Sequence, residues 1–410
     1  MTETEEALVP SRDAVIAIQN RLVEWLRNHA LPLWDCHGVD RASGGYFENI
    51  SVVGPQRVLE ASGNMRRGRV VARQIYVFDA GRRVGWRSAL SSPVDHGCEY
   101  LFARLHDGDG YFHTAVDAGT HEPSGPFSLY EQAFYLFALA RLNSSAADRY
   151  PVEATAIRCL ERLRADYGKA IGGFEESKPP RLPLKSNPHM HLLEAALAWI
   201  DAASHAGRSA WIELARQIVG LCLTRFSDEA TGAIREFFDQ NWRPLPGEAG
   251  RIVEPGHQFE WAWLLMRWVD SAYSTDSERA QCRFAARRLI HIGERWGVDR
   301  GRGVAINEIW DDMTPKDPAA KLWPQTERVK AWCAMLDVAS TAAEREDACK
   351  RIVISARSLA RYMRSEAPGL WHEVCAANGK FPPGPCKASS LYHVVCAIEA
   401  LRKTASAGLS

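Results

Sequence analysis

The stretch GGYFENIS at residues 44–51 is the first of six glycine-led segments that divide the chain. The other five are GDGYFHTAVD (108–117), GGFEES (172–177), TGAIREFFD (231–239), GRGVAINE (301–308) and GLWHEV (369–374). One glycine marks each segment: Gly45, Gly110, Gly173, Gly232, Gly303 and Gly369. The markers recur about every 60–70 residues, which leaves room for two helices of ordinary length in each repeat. The sequence therefore predicts six helical hairpins.

The segments between these markers have the apolar periodicity of helices. Apolar residues recur at three- and four-residue spacing in AVIAIQNRLVEWL (14–26), HLLEAALAWIDAA (191–203), FEWAWLLMRWVDSA (259–272) and LYHVVCAIEALRK (391–403). We expect an all-α (α/α)6 barrel with six inner and six outer helices and a funnel at one end. A solenoid of helix pairs is the alternative, but six hairpins is the number that closes a ring. We expect one catalytic domain over residues 1–410, with residues 1–10 disordered.

The amino-acid composition limits the kinds of molecule that the protein is expected to bind. Lysine plus arginine number 50, as do aspartate plus glutamate, so no net charge attracts nucleic acid or an anionic membrane. The 10 cysteines are scattered without a CxxC pair, as in proteins of a reducing cytosol. The first ten residues are acidic and lack the apolar core of a signal peptide. We expect a cytoplasmic protein that binds a small neutral molecule, with neither nucleic acid nor membrane as a partner.

Four apolar segments contain polar side chains that need an explanation, because an unpaired polar group in a dry helix interface is costly. They are SNPHMHLLEAALAWI, EPGHQFEWAWLL, LWPQTERVKAW and KASSLYHVVCAIEAL. Such residues favour a wet central pocket.

Histidines in these segments have acidic neighbours. His191 and Glu194, like His257 and Glu260, are three residues apart and so share a helix face. A carboxylate beside an imidazole fixes its tautomer and raises its basicity, as a general base requires. A satisfied rim histidine and a buried ion pair are the plainer alternatives. Zinc binding by His191 and its neighbour two residues earlier is a weaker hypothesis, since residues two apart on a helix point in different directions.

Other polar and aromatic residues suit a sugar. Trp323 offers a flat apolar face, while Gln325 and Glu327 offer hydrogen bonds. Arg73, in the apolar segment VVARQIYVFDA, could neutralise a developing oxyanion, and a salt bridge is its plain alternative. His393 lies near the start of the last apolar helix. It is a candidate site residue because the other polar residues named above accompany it.

Taken in order over about 320 residues, NPHMHLLEA, GHQFEWAWLL, LWPQTE and the late LYH resemble the N-acylglucosamine 2-epimerase family. That family includes acylglucosamine and cellobiose 2-epimerases and mannose and related aldose–ketose isomerases. The resemblance implies an (α/α)6 barrel and a set of residues around the sugar: Arg73, Asn187, His191, His257, Glu260 and His393. It also implies that His257 and His393 are the acid/base pair and that Glu260 supports His257.

One departure from the family bears on the substrate. Members that act on disaccharides have a tryptophan five residues before the last histidine, where this chain has Ala388. We therefore expect a monosaccharide, most simply D-mannose interconverted with D-fructose through a cis-enediolate. His393 is expected to be the base at C2 and His257 its partner, with no cofactor and no metal.

Several alternatives stay open. A 2-epimerase would interconvert mannose and glucose, or N-acylglucosamine and N-acylmannosamine. A mannose-6-phosphate isomerase would bind phosphate through Lys185, Arg181 or Lys387. A glycoside hydrolase on the same fold would need two carboxylates, with Glu260, Glu236 and Glu327 as candidates. A sugar-binding protein without turnover is a further alternative, and the chain is expected to be a monomer or a homodimer.

Overall fold

The computed structural model describes residues 11–406, so the prediction of disorder for residues 1–10 lies outside the described residues. Thirteen α-helices lie in this part of the chain, in the following order: α1 (Arg12–Trp25), α2 (Leu31–His37), α3 (Gly68–Arg83), α4 (Pro93–Tyr100), α5 (Leu129–Leu142), α6 (Val152–Tyr167), α7 (Ser186–Ala202), α8 (Arg208–Leu221), α9 (Pro255–Asp270), α10 (Asp276–Trp296), α11 (Leu322–Asp337), α12 (Ala342–Tyr362) and α13 (Ala388–Ser406). A π turn at Leu26–Ala30 joins α1 to α2, and π turns also follow α4 (Leu101–Leu105) and α8 (Cys222–Phe226).

Six of the helices form a closed inner ring. Helices α3, α5, α7, α9, α11 and α13 each pack against the next, and α13 packs back against α3. The side-chain amide of Gln74 on α3 donates a hydrogen bond to the carbonyl of Ala388 on α13 at 2.7 Å, which helps to seal the junction. Helices α1, α4, α6, α8, α10 and α12 surround this ring, each against an inner helix. This arrangement confirms the predicted (α/α)6 barrel.

Burial explains which helices lie inside. Most residues of α5, α7 and α9 are buried, including many polar side chains of their first halves, because these helices have neighbours on all sides. The outer helices α10 and α12 are amphipathic, and capping boxes begin them at Thr275 and Thr341. No helix within residues 11–406 is both long and apolar enough to cross a membrane.

Short strands gather at one end of the barrel, where the inner helices begin. They are β1 (Asn49–Val53), β2 (Val58–Ser62), β3 (Met65–Arg67), β4 (Ala115–Asp117), β5 (Pro123–Ser124), β6 (Leu184–Lys185), β7 (Phe237–Phe238), β8 (Ile252–Val253), β9 (Val298–Asp299), β10 (Val304–Ala305), β11 (Glu308–Trp310), β12 (Pro315–Asp317), β13 (Ala320–Lys321), β14 (Val374–Cys375) and β15 (Cys386–Lys387). The strands before α3, α7, α9, α11 and α13 each pair antiparallel with a strand from the next glycine-led segment, as β6 pairs with β7 and β15 with β1. These small sheets tie neighbouring repeats together and confirm that the segments lie at one rim.

All six marker glycines have a positive φ, between 71° and 113°. Only glycine adopts this backbone conformation without strain, so each turn requires a glycine at its marker position. The sixfold repeat in the sequence therefore corresponds to six turns at this rim.

Candidate active site

The polar residues singled out by the sequence lie at the strand-bearing end, in the first half of the inner helices. Arg73 is on α3, His191 on α7, His257 on α9, Trp323 on α11 and His393 on α13. Because the inner helices run in the same direction from this rim, one turn near the start of each helix faces the axis of the ring. Residues more than 300 positions apart thereby meet in one pocket.

His393 is a buried imidazole paired with a carboxylate. Its Nδ1 donates a hydrogen bond to Oε1 of Glu327 at 3.0 Å, and since a carboxylate only accepts, Nδ1 carries the hydrogen. Burial lowers the pKa of His393 to about 4, and Arg73 adds to this, although the hydrogen bond with Glu327 opposes it. At neutral pH His393 is therefore uncharged, with a lone pair on Nε2, as a general base requires.

His257 has the opposite environment. Its Nδ1 lies 2.8 Å from Oε2 of Glu236 and 3.8 Å from Oε2 of Glu254. Burial alone would lower the pKa of His257, but the charges of Glu236 and Glu254 outweigh it and raise this pKa to about 10. His257 therefore carries a proton on both ring nitrogens at neutral pH and can serve as a general acid.

The carboxylate that supports His257 differs from the expected one. The resemblance implied Glu260, which lies one turn along the same helix, yet Nδ1 of His257 bonds to Glu236 from the rim segment before α9. Burial and the nearby charge of Glu327 raise the pKa of Glu260 well above its usual range. The neutral form of Glu260 is thus favoured more than that of an exposed glutamate.

Trp323 lies between the two histidines. The centroid of its ring is 5.0 Å from that of His257 and 5.9 Å from that of His393. The indole lies against the backbone of α9 at Gly256, where an added β-carbon would come within 2.4 Å of the ring. This close approach sets the position of a flat apolar surface between the acid and the base.

Arg73 is 4% exposed and faces the same pocket. One of its terminal nitrogens donates to the hydroxyl of Tyr130 at 2.9 Å, and its guanidinium lies 4.0 Å from the centroid of Phe134. The predicted alternative, a salt bridge to one of the site carboxylates, does not occur among the described residues. A fixed cation held by uncharged groups suits the stabilisation of an oxyanion.

His191 and Asn187 lie on α7 beside this arginine. Nδ1 of His191 donates to Oε2 of Glu194 at 3.1 Å, so the predicted pair forms. Burial lowers the pKa of His191 despite this hydrogen bond, which leaves its ring neutral. The side-chain oxygen of Asn187 is buried and has no hydrogen-bond partner within residues 11–406, so it can accept one from a ligand.

Gln325 has a different position from the predicted one. Its amide oxygen accepts from the backbone N–H of Ala305 at 2.9 Å, and its nitrogen donates to the carbonyls of Ala305 (2.8 Å) and Lys321 (3.0 Å). The side chain is fully buried, and both of its polar atoms bond to the rim turn. Gln325 therefore holds the turn in place, and its contact with a sugar stays a prediction.

We call these hydrogen bonds between a side chain of an inner helix and the backbone of a rim turn a lock. The same lock recurs in other repeats. Gln132 bonds to both backbone groups of Phe112, and Gln258 to both of Ile234, each from the fourth residue of its helix. His189 is the fourth residue of α7, and its Nε2 accepts from the N–H of Phe174 at 3.0 Å. Its Nδ1 bonds to a backbone carbonyl, so both ring nitrogens are used, which argues against the zinc hypothesis.

Two groups of residues have donor atoms within 4.8 Å of one another and could surround a metal ion: His191, Glu194 and Glu260, and Glu236, Glu254 and His257. In each group the histidine Nδ1 already bonds to a carboxylate, which explains the cluster without an ion. The expectation that no metal is required stays a prediction.

Three residues of the site have contacts that the sequence does not predict. Glu236, predicted only as a candidate hydrolytic carboxylate, bonds to His257. Tyr130 contacts Arg73, and its signal was the polar start of the apolar helix LYEQAFYLFALA. Lys330 is fully buried with its ammonium 2.5 Å from Oε2 of Glu327. A lysine three residues after a glutamate in an apolar helix was the available signal.

The site brings together a neutral imidazole, a protonated imidazole, a fixed guanidinium and a buried carboxyl group of raised pKa. Such a set suits proton transfer next to a carbonyl group, where negative charge develops on oxygen. Hydrolysis of a glycoside needs free carboxylates on both sides of the bond, whereas Glu236 and Glu327 each bond to an imidazole.

Comparisons with known proteins agree with this chemistry. The family model of N-acylglucosamine 2-epimerase (GlcNAc 2-epimerase) matches residues 45–397. The chain is 41% identical over 379 residues to a mannose-6-phosphate isomerase of Rhizobium meliloti (strain 1021), covering 92% of this chain and 95% of the relative. It is 26% identical to a D-mannose isomerase of Thermobifida fusca, covering 72% of this chain and 74% of the relative.

A solved structure supports the fold. The cellobiose 2-epimerase of Spirochaeta thermophila DSM 6192 superposes with a TM-score of 0.81 at 19% identity, covering 99% of this chain and 100% of the other. The ring of helices, the three histidine–carboxylate pairs and the family match lead to one conclusion. The chain belongs to the N-acylglucosamine 2-epimerase family and is a carbohydrate isomerase or epimerase.

Proposed function

We propose that the protein interconverts a mannose-configured aldose and the corresponding fructose-configured ketose through a cis-enediolate. The main support for this proposal is the pair of histidines beside Trp323, because one imidazole is uncharged and the other carries a positive charge. His393 is neutral and His257 is protonated at neutral pH. An aldose–ketose isomerase needs such a base and such an acid at adjacent carbons.

The proposed reaction begins with the ring-closed sugar above Trp323. His257 assists ring opening, which exposes the carbonyl at C1. Nε2 of His393 then takes the proton from C2, and the electron pair moves into the C1–C2 bond to give the enediolate. Arg73 and the carboxyl group of Glu260 stabilise the negative charge on its oxygens. The hydroxyl proton then moves from O2 to O1, and His393 returns its proton to C1, which completes the ketose and restores both histidines.

Two lysines at the mouth of the pocket and the names of the relatives support the choice of sugar. Lys321 and Lys387 are exposed residues directly before α11 and α13, and neither ammonium has an ion-pair partner among the described residues. Lys185, by contrast, pairs with Glu176 at 3.1 Å. Free cations beside helix N-termini suit a phosphate. With the 41% identical relative, they favour mannose 6-phosphate as a second candidate beside free mannose.

The reaction of a 2-epimerase differs from the proposed isomerisation in one step only. It would return the proton to the opposite face of C2, which requires an acid on that face. His257 is the acid nearest to such a position, so product analysis, and not geometry, separates the two reactions.

We further propose a cytoplasmic enzyme that is a monomer or a homodimer. All ten cysteines are free thiols, nine of them buried, as is usual for proteins of a reducing compartment.

The roles of the histidines can be tested by His393→Asn and His257→Asn. Asparagine keeps a polar side chain but cannot exchange a proton near neutral pH, so each variant should lose ~10²–10⁴-fold in kcat. Sugar binding measured by calorimetry should persist. The control is His205→Asn, at an exposed position between α7 and α8, which should keep full turnover. Full turnover in either site variant would refute the proposal.

A further inference from the structure

Lys330 is a fully buried lysine in the middle of α11. Its ammonium lies 2.5 Å from Oε2 of Glu327. The other oxygen of that carboxylate, Oε1, accepts the hydrogen bond from Nδ1 of His393 at 3.0 Å. On another side, the ammonium lies 3.8 Å from the ring centroid of Trp263. One carboxylate thus joins a buried positive charge to the imidazole of the proposed base.

Charged and titratable groups from four other inner helices face this cluster. They are Arg73 on α3, Glu194 on α7, Glu260 on α9, and Tyr392 and Cys396 on α13. Burial raises the pKa of the Tyr392 hydroxyl and of the Cys396 thiol, so both are uncharged at neutral pH. The described residues therefore place one lysine, Lys330, beside three buried carboxyl groups.

The burial of Lys330 calls for a reason besides stability. Removal of a charged group from water is costly, and a buried ion pair is often no more stable than apolar side chains of similar volume. The effect of the lysine appears instead on its partner. Burial alone would raise the pKa of the Glu327 carboxyl, but the charge of Lys330 and the hydrogen bond from His393 outweigh burial and lower this pKa. Glu327 is therefore ionised at neutral pH.

The charge of Glu327 decides which nitrogen of His393 is free. An ionised carboxylate only accepts hydrogen bonds, so Nδ1 carries the hydrogen of the neutral ring and Nε2 keeps its lone pair. A protonated Glu327 that donated to Nδ1 would move the hydrogen of the neutral ring to Nε2. His393 would then have no free nitrogen with which to take a proton from the sugar.

We propose that Lys330 is a positioning residue for the proposed base. Its positive charge keeps Glu327 ionised, and Glu327 thereby holds His393 in the tautomer whose Nε2 takes the proton from C2. This inference rests on the proposed enediolate reaction. Lys330 remains an ammonium throughout and transfers no proton itself.

The test is the pH profile of Lys330→Met, which removes the charge and keeps an unbranched side chain. A proton added to the pair of His393 and Glu327 then meets one positive charge fewer, so the pair takes up that proton at a higher pH. The acid limb of the kcat/KM profile should move to higher pH by roughly 1–3 units. Initial rates of ketose formation from pH 4 to 9, with the same substrate for every variant, give the profile.

Two further variants separate the charge from the packing. Lys169→Met is the matched control, because Lys169 also pairs with a carboxylate, that of Glu175, but lies in the rim turn after α6. It should leave the acid limb where it is in the wild type. Lys330→Arg keeps the positive charge at the site and should return the limb to within a few tenths of a pH unit of the wild-type position.

The outcomes are distinct. A slower Lys330→Met enzyme whose acid limb stays in place would overturn the proposal, because the lysine would then act on packing alone. If Lys330→Met does not fold, nitrogen NMR of wild-type enzyme with isotope-labelled lysine decides, with the signal assigned by its absence from Lys330→Arg. Nζ of Lys330 should be an ammonium at pH 7.5, and a neutral amine would overturn the proposal. Absence of any ketose from the wild-type enzyme would refute the proposed reaction itself, which is a different result.

Discussion

At the scale of single residues, His257 and His393 show how the surroundings decide the chemistry of one residue type. Both are buried, yet the pKa of His257 is raised to about 10 and that of His393 is lowered to about 4. The difference lies in the number of carboxylates at each ring. Two face His257, whereas His393 has one and also faces Arg73.

Replacement of Glu236 by glutamine should therefore change the pH dependence of the reaction. Without the charge of Glu236 the pKa of His257 falls, so its imidazole loses its proton at a lower pH. At pH values above the new pKa, His257 can no longer act as an acid. The high-pH limb of the kcat/KM profile should move to lower pH, and kcat at pH 8 should fall by roughly 10–100-fold. Initial rates measured from pH 5 to 10 give this profile.

Glu254→Gln is the matched control, since its carboxylate lies 3.8 Å from His257 instead of 2.8 Å. Its profile should move less than that of Glu236→Gln. A profile of Glu236→Gln with the wild-type shape, merely scaled down, would show that Glu236 does not set the charge of His257.

The sequence was informative for residues that lie on the same helix and less so for partners across the ring. The pair His191 and Glu194 follows from spacing alone. The pair His257 and Glu236 does not, because Glu236 lies in a rim turn that only the closed ring brings to α9. Helix spacing suggested Glu260 instead, since a sequence pattern cannot show that this side chain faces Glu327 and Lys330.

At the scale of elements, the locks between inner helices and rim turns explain how the site is held. The fourth residue of α5, α7, α9 and α11 bonds to the backbone of a turn in each case. These turns also place polar residues such as Glu236 at the pocket. The sixfold glycine pattern predicted the turns, but the locks were not recognised, because a glutamine in an apolar helix is equally consistent with ligand binding.

Gln325→Leu tests which role this residue has. The substitution leaves the buried N–H and carbonyl of Ala305 unpaired, and each buried unpaired group costs ~1–3 kcal/mol. The free energy of unfolding in urea should fall accordingly. KM should change little, because the side chain makes no contact with the pocket. A raised KM at unchanged stability would instead restore the predicted sugar contact.

His189→Gln is the companion variant, since it installs the lock that α5, α9 and α11 already use. It should keep the stability of the wild type at pH 7.5. The pKa of His189 is about 4 in the folded chain, below the value of about 6.5 for an unfolded histidine, so the unfolded state binds more protons between these values. Stability that depends on His189 is therefore lost as the pH falls from 6.5 to 4. The variant should lose less stability over this range.

At the scale of the whole molecule, the ring gives its two ends different properties. All six inner helices begin at the strand-bearing rim, so their N-termini, which carry partial positive charge, surround the sugar pocket. An enediolate, and a phosphate at the mouth, are both anions and are favoured at that end. A cavity of about 760 Å³ lies between the C-terminal halves of the same helices, and the buried charged residues Glu194 and Lys330 lie between it and the sugar pocket.

The whole-molecule architecture was the most predictable level. Six turns at regular spacing and apolar helices between them determine a closed ring of hairpins, because each inner helix must bury all of its faces. The sequence does not predict the cavity of about 760 Å³ between the later halves of the inner helices, because residues of all six helices line it, among them Ala198, Ala334 and Ala400. No periodicity along the chain shows which of these residues face one another.

The most direct test of the central claim is product analysis in heavy water. EDTA-treated enzyme is incubated with mannose and with mannose 6-phosphate, and the products are followed by NMR. We predict fructose or fructose 6-phosphate with deuterium at C1, which would establish the metal-independent isomerisation. A glucose-configured sugar with deuterium at C2 and no ketose would contradict this and identify a 2-epimerase.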